Sequence, residues 1–469
     1  MGAQFVTIDR ETPMLLPVDL REWIPQDNMV HFIIEAVESL DIQGFIVNER
    51  GSGSPQYPPT MMLALLVYNY AIGRFSSREI EQATHGDLAV RYLCGGDKHP
   101  DHDTICSFRT RNREAFKLAF TRVLLLAQEM GYLKKVGGVA VDGTKILANA
   151  SKHAAVSYKR AEEMIKQLEL EIEQLTQKAE AADSSAPLEH GLSLPEEIAR
   201  RQDRKAKLSA ARDVIEQRYG EILRQKQAEY AEKKKARDAL RAAGKKPRGP
   251  EPVSPATNPP DGAQFNFTDS ESRIMKSGTS DQMEQAYNAQ AVVDTEGSML
   301  ILGGYVTDHA NDKRELVPAL ASVDTDVRQP ETVCADTGYF SEEAVTTIES
   351  APDAPTVYCA IERQSHHRTV EDLEQRTLPA APAETAPTKE KMAHRLKTPE
   401  GRSRYKKRKE TVEPVFGIIK ARLGFRQFLL RGLEKVSIEW NLVTLAYNMK
   451  RLYRLRSVQR GAAVALTGA

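Results

Sequence analysis

Gly137-Gly138-Val139-Ala140-Val141-Asp142-Gly143-Thr144 is the stretch from which the architecture of this chain is read. Small and β-branched residues bounded by glycines predict a short buried strand, and Gly143 predicts a turn directly after the acid. An acid at the carboxyl end of a strand lies at a sheet edge that ligands can reach. The same grammar returns in Glu331-Thr332-Val333-Cys334-Ala335-Asp336-Thr337-Gly338-Tyr339, again apolar residues, an acid, then a glycine turn. If the two strands are neighbours in one sheet, Asp142 and Asp336 converge. A third acid, Glu413, stands in Thr411-Val412-Glu413-Pro414-Val415-Phe416-Gly417, inside the most basic part of the chain. Carboxylates gathered at one sheet edge are candidate metal ligands, because hard divalent cations take oxygen donors.

A chain of 469 residues predicts two or three domains. Its 65 basic and 65 acidic residues cancel, so net charge excludes nothing, whereas their distribution is informative. Between Gly401 and Arg460, 16 Lys plus Arg face 4 Glu and no Asp, a local excess of 16 − 4 = +12. Such a block suits a polyanion, whose condensed counterions are released on binding. Cys94, Cys106, Cys334 and Cys359 are widely spaced without a CxxC pair, which argues against a disulfide framework or zinc site and for a reducing cytoplasm. No leader pattern opens the chain and no apolar run approaches the roughly 18 residues of a membrane span, so the expected location is the cytoplasm, with no membrane partner.

Residues 1–135 read as a helical domain. Pro58-Pro59-Thr60 opens an apolar helix that ends near Gly73, and Ser76-Ser77-Arg78-Glu79 has the pattern of a capping box. Asp103 is a candidate cap for a helix carrying Arg109 and Arg111, and an amphipathic helix follows from Arg113 to Gly131. Short helices with arginines resemble a helix-turn-helix DNA reader, in which Arg109 and Arg111 would contact DNA; a plain helical bundle with solvated arginines fits the same composition. The sheet domain is expected over 136–151 and 263–456. It is interrupted at 152–245 by a charged helical hairpin, in which Ile165, Leu168, Ile172, Leu175 and Ala179 keep heptad spacing and Leu208, Ala211, Ile215 and Ile222 form the returning stripe. A break is expected at Ala182–Pro187. Six prolines in 246–262 make a linker. Tyr287–Val293 and Ser298–Leu302 form a hairpin around Asp294-Thr295-Glu296-Gly297, Asn311–Val323 is helix-like, and Pro355–Ile361 is a further strand. Residues 363–400 are poor in apolar side chains and read as a flexible segment, and 457–469 as a tail.

The order strand, hairpin, helix, strand, helix, strand, helix resembles a ribonuclease H-like core: a mixed five-stranded sheet in an α/β (α+β) multidomain protein with an N-terminal all-helical domain and an inserted helical hairpin. The motifs resemble those of the DDE transposases of bacterial insertion sequences. Val141-Asp142-Gly143-Thr144, Tyr287-Asn288-Ala289-Gln290, Ala335-Asp336-Thr337-Gly338-Tyr339, Val412–Gly417, Arg431-Gly432-Leu433-Glu434-Lys435 and Ala446-Tyr447-Asn448 occur in that family's order.

The resemblance implies a transposase that binds the terminal inverted repeats of its element and its target DNA, cuts and joins strands, and works as a homodimer on paired ends, nucleoid-associated when bound. It implies Asp142, Asp336 and Glu413 as ligands of two Mg²⁺ ions, with Mn²⁺ substituting and Asp142 bridging. Lys420, seven residues after Glu413, and Arg422 would hold DNA phosphate; Tyr405 and Arg408 match the family's tail motif, with one extra residue before Glu413. Pro414 predicts that Glu413 sits at a kink or a helix start. The competing roles are ordinary ones: Asp142 as a turn residue, Glu413 as a salt-bridge partner, Trp440 as core rather than a base-stacking ring, Asp269 as a cap, and His366 and His367 as loop residues. Two other functions fit the same composition. One is a metal-dependent nuclease without transposition, the other a non-catalytic DNA-binding protein.

Overall fold

The glycine after Asp142 does not turn the chain. In the computed structural model, which describes residues 19–40, 44–47, 55–181, 193–244, 247, 250–276, 282–350, 353–362 and 380–467 (side chains to 459), strand β1 runs from Val136 to Leu147, straight through the acid. Gly143 is required for a different reason. A Cβ there would lie 2.4 Å from Gln290 Nε2 and 2.8 Å from Asp312 Oδ1, so the strand passes too close to its neighbours for a side chain. Along one side β1 pairs antiparallel with β5 (Met283–Asp294), from Val139 opposite Asp294 to Leu147 opposite Ala286. Along the other it pairs in parallel with β7 (Gln329–Ala335), ending at Ala140 opposite Cys334. β7 stops where β1 continues, and Asp142 therefore emerges at an open edge.

The hairpin partner β6 (Ile301–Thr307) lies antiparallel on the far side of β5, and β8 (Thr356–Cys359) lies parallel to β7. The mixed sheet has six strands, not the expected five. The addition is β4 (Arg273–Lys276), which shares the outer edge of β5 with β6. Val139, Val141, Val292, Val293 and Val333 are fully buried, as continuous apolar strands covered on both faces should be.

The N-terminal helices share one apolar core with this sheet. Helix α1 (Met29–Ser39) is capped by the Asn28 side chain. Helix α2 (Pro59–Ile72) is buried almost all round and ends at Gly73 with φ of +92°. A Cβ at Gly73 would also meet Leu423 O at 2.6 Å, so this residue serves both the left-handed cap and a close approach to the C-terminal segment. Helix α3 (Ser77–Gly86) begins as expected, although the Ser76 side chain makes no capping bond. Helix α4 (Leu88–Leu93) is capped by Asp87. Helix α5 (His102–Arg111) is capped by Asp101, two residues before the acid expected, and Asp103 falls in its first turn. Helix α6 (Arg113–Glu129) completes the set. The long C-terminal helix, Leu433–Thr467, packs on α2, α6 and β6 and joins the two halves.

The insert is an antiparallel pair, α7 (Tyr158–Ala181) and α8 (Leu194–Ala242). Ile165 and Leu168 bury against Leu208 and Ala211 in a small core of their own, above the two-stranded sheet of β2 (Ala155–Ser157) and β3 (Gln264–Asn266). Ile222, expected on the same stripe, is exposed. At 49 residues against 24, α8 outruns its partner, by about 37 Å at 1.5 Å per residue. Its distal half runs back beside the sheet, where Glu229 pairs with Arg314 at 3.2 Å. The expected break at 182–187 and the two histidines 366 and 367 lie outside the described residues.

Helices α9 (Leu316–Ala321) and α10 (Glu342–Glu349) flank the sheet. The second half of the expected flexible segment is helical: α11 (Thr388–Lys397) buries Met392 against β8, with Arg395 paired to Glu349. Helix α12 (Pro399–Gly417) follows, continuous through Pro414, and passes into a π-helical turn, Ile418–Arg422. The C-terminal helix is α13 (Leu433–Thr467). Among the described residues no helix is long and apolar enough to cross a membrane.

Candidate active site

The two strand acids meet as their shared grammar suggests. Because Ala140 stands opposite Cys334, the residues two further along each strand, Asp142 and Asp336, are neighbours at the carboxyl end of β7. Asp336 opens a single turn, Thr337–Tyr339, and accepts the Gly338 amide at 2.8 Å. Helix α12 crosses this edge and brings the third acid. Arg408 donates to Asp142 Oδ2 and to Glu413 Oε1, each at 3.0 Å, so one guanidinium joins the strand acid to the helix acid. Arg408 and Glu413 are five residues apart, about 140° around the helix, and only the length of the arginine lets it serve both. Tyr405 lies beside Arg408 and Asp336, and burial raises its phenol pKa.

Burial pushes the Asp142 carboxyl up to about 7, against the lowering effect of Arg408; Asp336 and Asp312 add to the rise, and the Gly143 amide opposes it. Arg408 therefore does not neutralise the site. A mostly buried carboxylate beside a second one, with too little positive charge between them, is what a divalent cation relieves. The donor chemistry fits Mg²⁺ or Mn²⁺, since every candidate ligand is a carboxylate. As the side chains stand, among the described residues no three of the His, Cys, Asp and Glu side chains are close enough together to hold an ion. The Arg408 guanidinium occupies the gap between Asp142 and Glu413.

The remaining expected contacts divide. Arg422 is exposed in the π-helical turn and Arg111 is exposed at the end of α5. Lys420 sits in that same turn and not on a continuous α-helix; its ammonium donates to Lys145 O at 2.9 Å and burial lowers its pKa. Arg109 is not presented to DNA. It is 3 % exposed, with its guanidinium bonded to Tyr70 Oη at 2.8 Å and Phe75 O at 3.2 Å, so it holds α5 onto α2. Trp440 is core: it is fully buried and donates to Gln290 O at 3.1 Å. Asp269 is a tie and not a helix cap, accepting the Tyr287 hydroxyl at 2.8 Å and the Gly432 amide at 3.3 Å.

One acid escaped the sequence reading. Asp312 faces the site from the loop before α9 and accepts from Asn288 at 2.6 Å and Gln290 at 2.9 Å, with Lys145 at 3.7 Å. The available signal was the pair of polar side chains, Asn288 and Gln290, at alternate positions of an otherwise apolar strand, which predicts a polar partner across that face.

Residues 18–111 match the family described as Transposase domain (DUF772), and residues 363–453 match the family described as Transposase DDE domain. The first match covers α1 to α5, and the second contains Tyr405, Arg408, Glu413, Lys420 and Arg422; Asp142 and Asp336 lie between the two. No curated protein and no solved structure matches the chain. A transposase domain matched at either end of a sheet that carries the acids between them supports a DDE transposase of an insertion sequence.

Proposed function

We propose that the chain binds the ends of its insertion sequence and catalyses DNA strand cleavage and strand transfer at Asp142, Asp336 and Glu413. The observation that carries this reading is the convergence of the three acids on one edge, two by strand register and one through Arg408. When bound there, divalent cations would activate the attacking oxygen and stabilise the leaving 3′ oxygen. Asp142, Asp336 and Glu413 are the residues that would hold them. Arg408 pairs with Asp142 and Glu413 before the site is loaded and, once displaced, would be free to donate to the scissile phosphate. Lys420 and Arg422, two turns or more beyond Glu413, and the exposed Arg111 supply phosphate contacts that fix register without reading sequence. The N-terminal helices would carry end recognition, two copies would pair the ends, and the sheet topology would be that of a ribonuclease H-like core.

Strand transfer separates this reading from a plain nuclease on the same core. Purified protein is mixed with Mg²⁺, pre-cleaved DNA bearing the inverted repeat that flanks its gene, and a supercoiled plasmid. Covalent joining of the repeat's 3′ end to plasmid, lost in Asp336→Asn, is the expected result. Cleavage of the repeat with no joining under any condition would favour the nuclease.

A further inference from the structure

We propose that Asp312 is a positioning residue for Asp336, acting through Gln290 and Tyr339. The inference rests on the reading of Asp336 as a site carboxylate. It starts from an oddity of β5: Asn288 and Gln290 are fully buried in a strand whose other members are mostly apolar. Buried amides cost stability where a polar atom goes unmatched, as Asn288 Oδ1 does here, and a polar pair kept inside a sheet at that cost points to a geometric task.

The matching is directional. Asp312 Oδ1 can only accept, and it takes the amide hydrogens of Asn288 at 2.6 Å and Gln290 at 2.9 Å. With its NH₂ committed to Asp312, Gln290 turns its oxygen to the Tyr339 hydroxyl, which donates to it. Tyr339 is fully buried and closes the single turn that starts at Asp336. The backbone carbonyl of Gln290 is itself held by Trp440, so the relay has a fixed origin in the core. At the other end Asn288 donates to His309 O at 3.1 Å and ties down the loop that carries Asp312. Lys145 offsets the charge of Asp312 from β1. Gly338 shows how tightly the two acids enclose the turn: a Cβ there would lie 3.0 Å from Asp336 Oδ1 and 3.8 Å from Asp312 Oδ2.

Removing Asp312's acceptor frees Gln290 to flip, which takes the acceptor from Tyr339 and loosens the Asp336 turn. Hydrogen exchange of the full chain, without DNA or metal, reads that turn directly. Amides of residues 336–340 should exchange about tenfold faster in Asp312→Ala, which has no acceptor at this position, and in Tyr339→Phe, the worth of one buried hydrogen bond, while 62–71 in α2 stay unchanged. Because both variants cut one relay, the double variant should exchange no faster than either single one. Unchanged exchange at 336–340, acceleration throughout the chain, or additive effects would each overturn the proposal. If Asp312→Ala does not fold, Tyr339→Phe decides alone by the same criteria. Cleavage of end DNA tests the function separately: an inactive parent would count against the transposase reading and leave this relay standing, whereas normal exchange in the variants would do the reverse.

Discussion

Arg408 is the counter-charge of the site, and replacing it with leucine should weaken the fold in a way that a metal ion repairs. Its two ion pairs are unequal. The Glu413 side chain is 49 % exposed and returns to water when the arginine leaves, so that arm contributes about 0–1 kcal/mol at most. The Asp142 side chain is 18 % exposed, and stranding a buried partner costs about 3–5 kcal/mol when burial is complete. Allowing for the water that reaches Asp142, Arg408→Leu should lose about 2–3 kcal/mol. At about 2.1 cal/mol/K of unfolding entropy per residue, this corresponds to about 2–3 °C in Tm for a chain of 469 residues. Mn²⁺ at a hundredfold excess over its Kd adds about 2.7 kcal/mol to whichever form binds it. The variant, having no guanidinium to displace, should gain more than the parent. Thermal unfolding of both proteins with and without Mn²⁺ reads the difference. An unchanged Tm in Arg408→Leu, or an equal Mn²⁺ shift in the two proteins, would refute the assignment.

Gly143→Ala should destabilise the protein by about 1–3 kcal/mol, because the new methyl would enter the space of Gln290 Nε2 and Asp312 Oδ1; denaturant midpoints measure it, and a neutral result would contradict the close approach. Arg109→Met should lower stability while leaving the end-DNA affinity of the folded protein intact. Arg111→Ala should do the opposite, lowering the salt slope of binding by about 1, which band shifts at several salt concentrations would show. Glu439 is fully buried and accepts the Leu429 and Leu430 amides, and burial raises its carboxyl pKa. Above the unfolded value of about 4.3 the native state therefore binds more protons than the unfolded one, and stability falls as pH rises through that window. Measured against Glu439→Gln, which does not titrate, the parent should lose ground as pH rises above the unfolded value of about 4.3; a constant difference would remove Glu439 from the pH dependence.

What the sequence reveals depends on the distance over which each residue is constrained. The two strand-acid motifs, the hairpin around Asp294–Gly297 and the heptads of α7 are local patterns, and each forms, although the strand through Asp142 runs on to Leu147 and the returning strand lies at Ile301–Thr307, beyond the expected Ser298–Leu302. Gly143 reads locally as a turn, the commoner cause of a glycine, whereas its actual cause lies in Gln290 and Asp312, more than 140 residues away. Arg109 and Arg111 look alike in sequence, yet helix phase sends one to Tyr70 and the other to solvent. Pro414 violates the local rule for a helix interior, but Val412, Val415 and Phe416 are buried beside it, and their packing carries α12 through. Tyr405 and Arg408 reach the acids despite the extra residue before Glu413, because side-chain length absorbs a spacing change that motif comparison counts as a mismatch. Asp312 sits in a polar stretch that offers no periodic signal; only its partners on β5 mark it.

Labelled DNA bearing the flanking inverted repeat, incubated with Mg²⁺ or Mn²⁺ and run on a denaturing gel, tests the central claim most directly, with the parent beside Asp142→Asn and Glu413→Gln. Breaks leaving 3′ hydroxyls at the repeat boundary in the parent and in neither variant, with all three binding the DNA equally, are the result predicted. Equal cutting by either variant would remove that acid from the site and contradict the account.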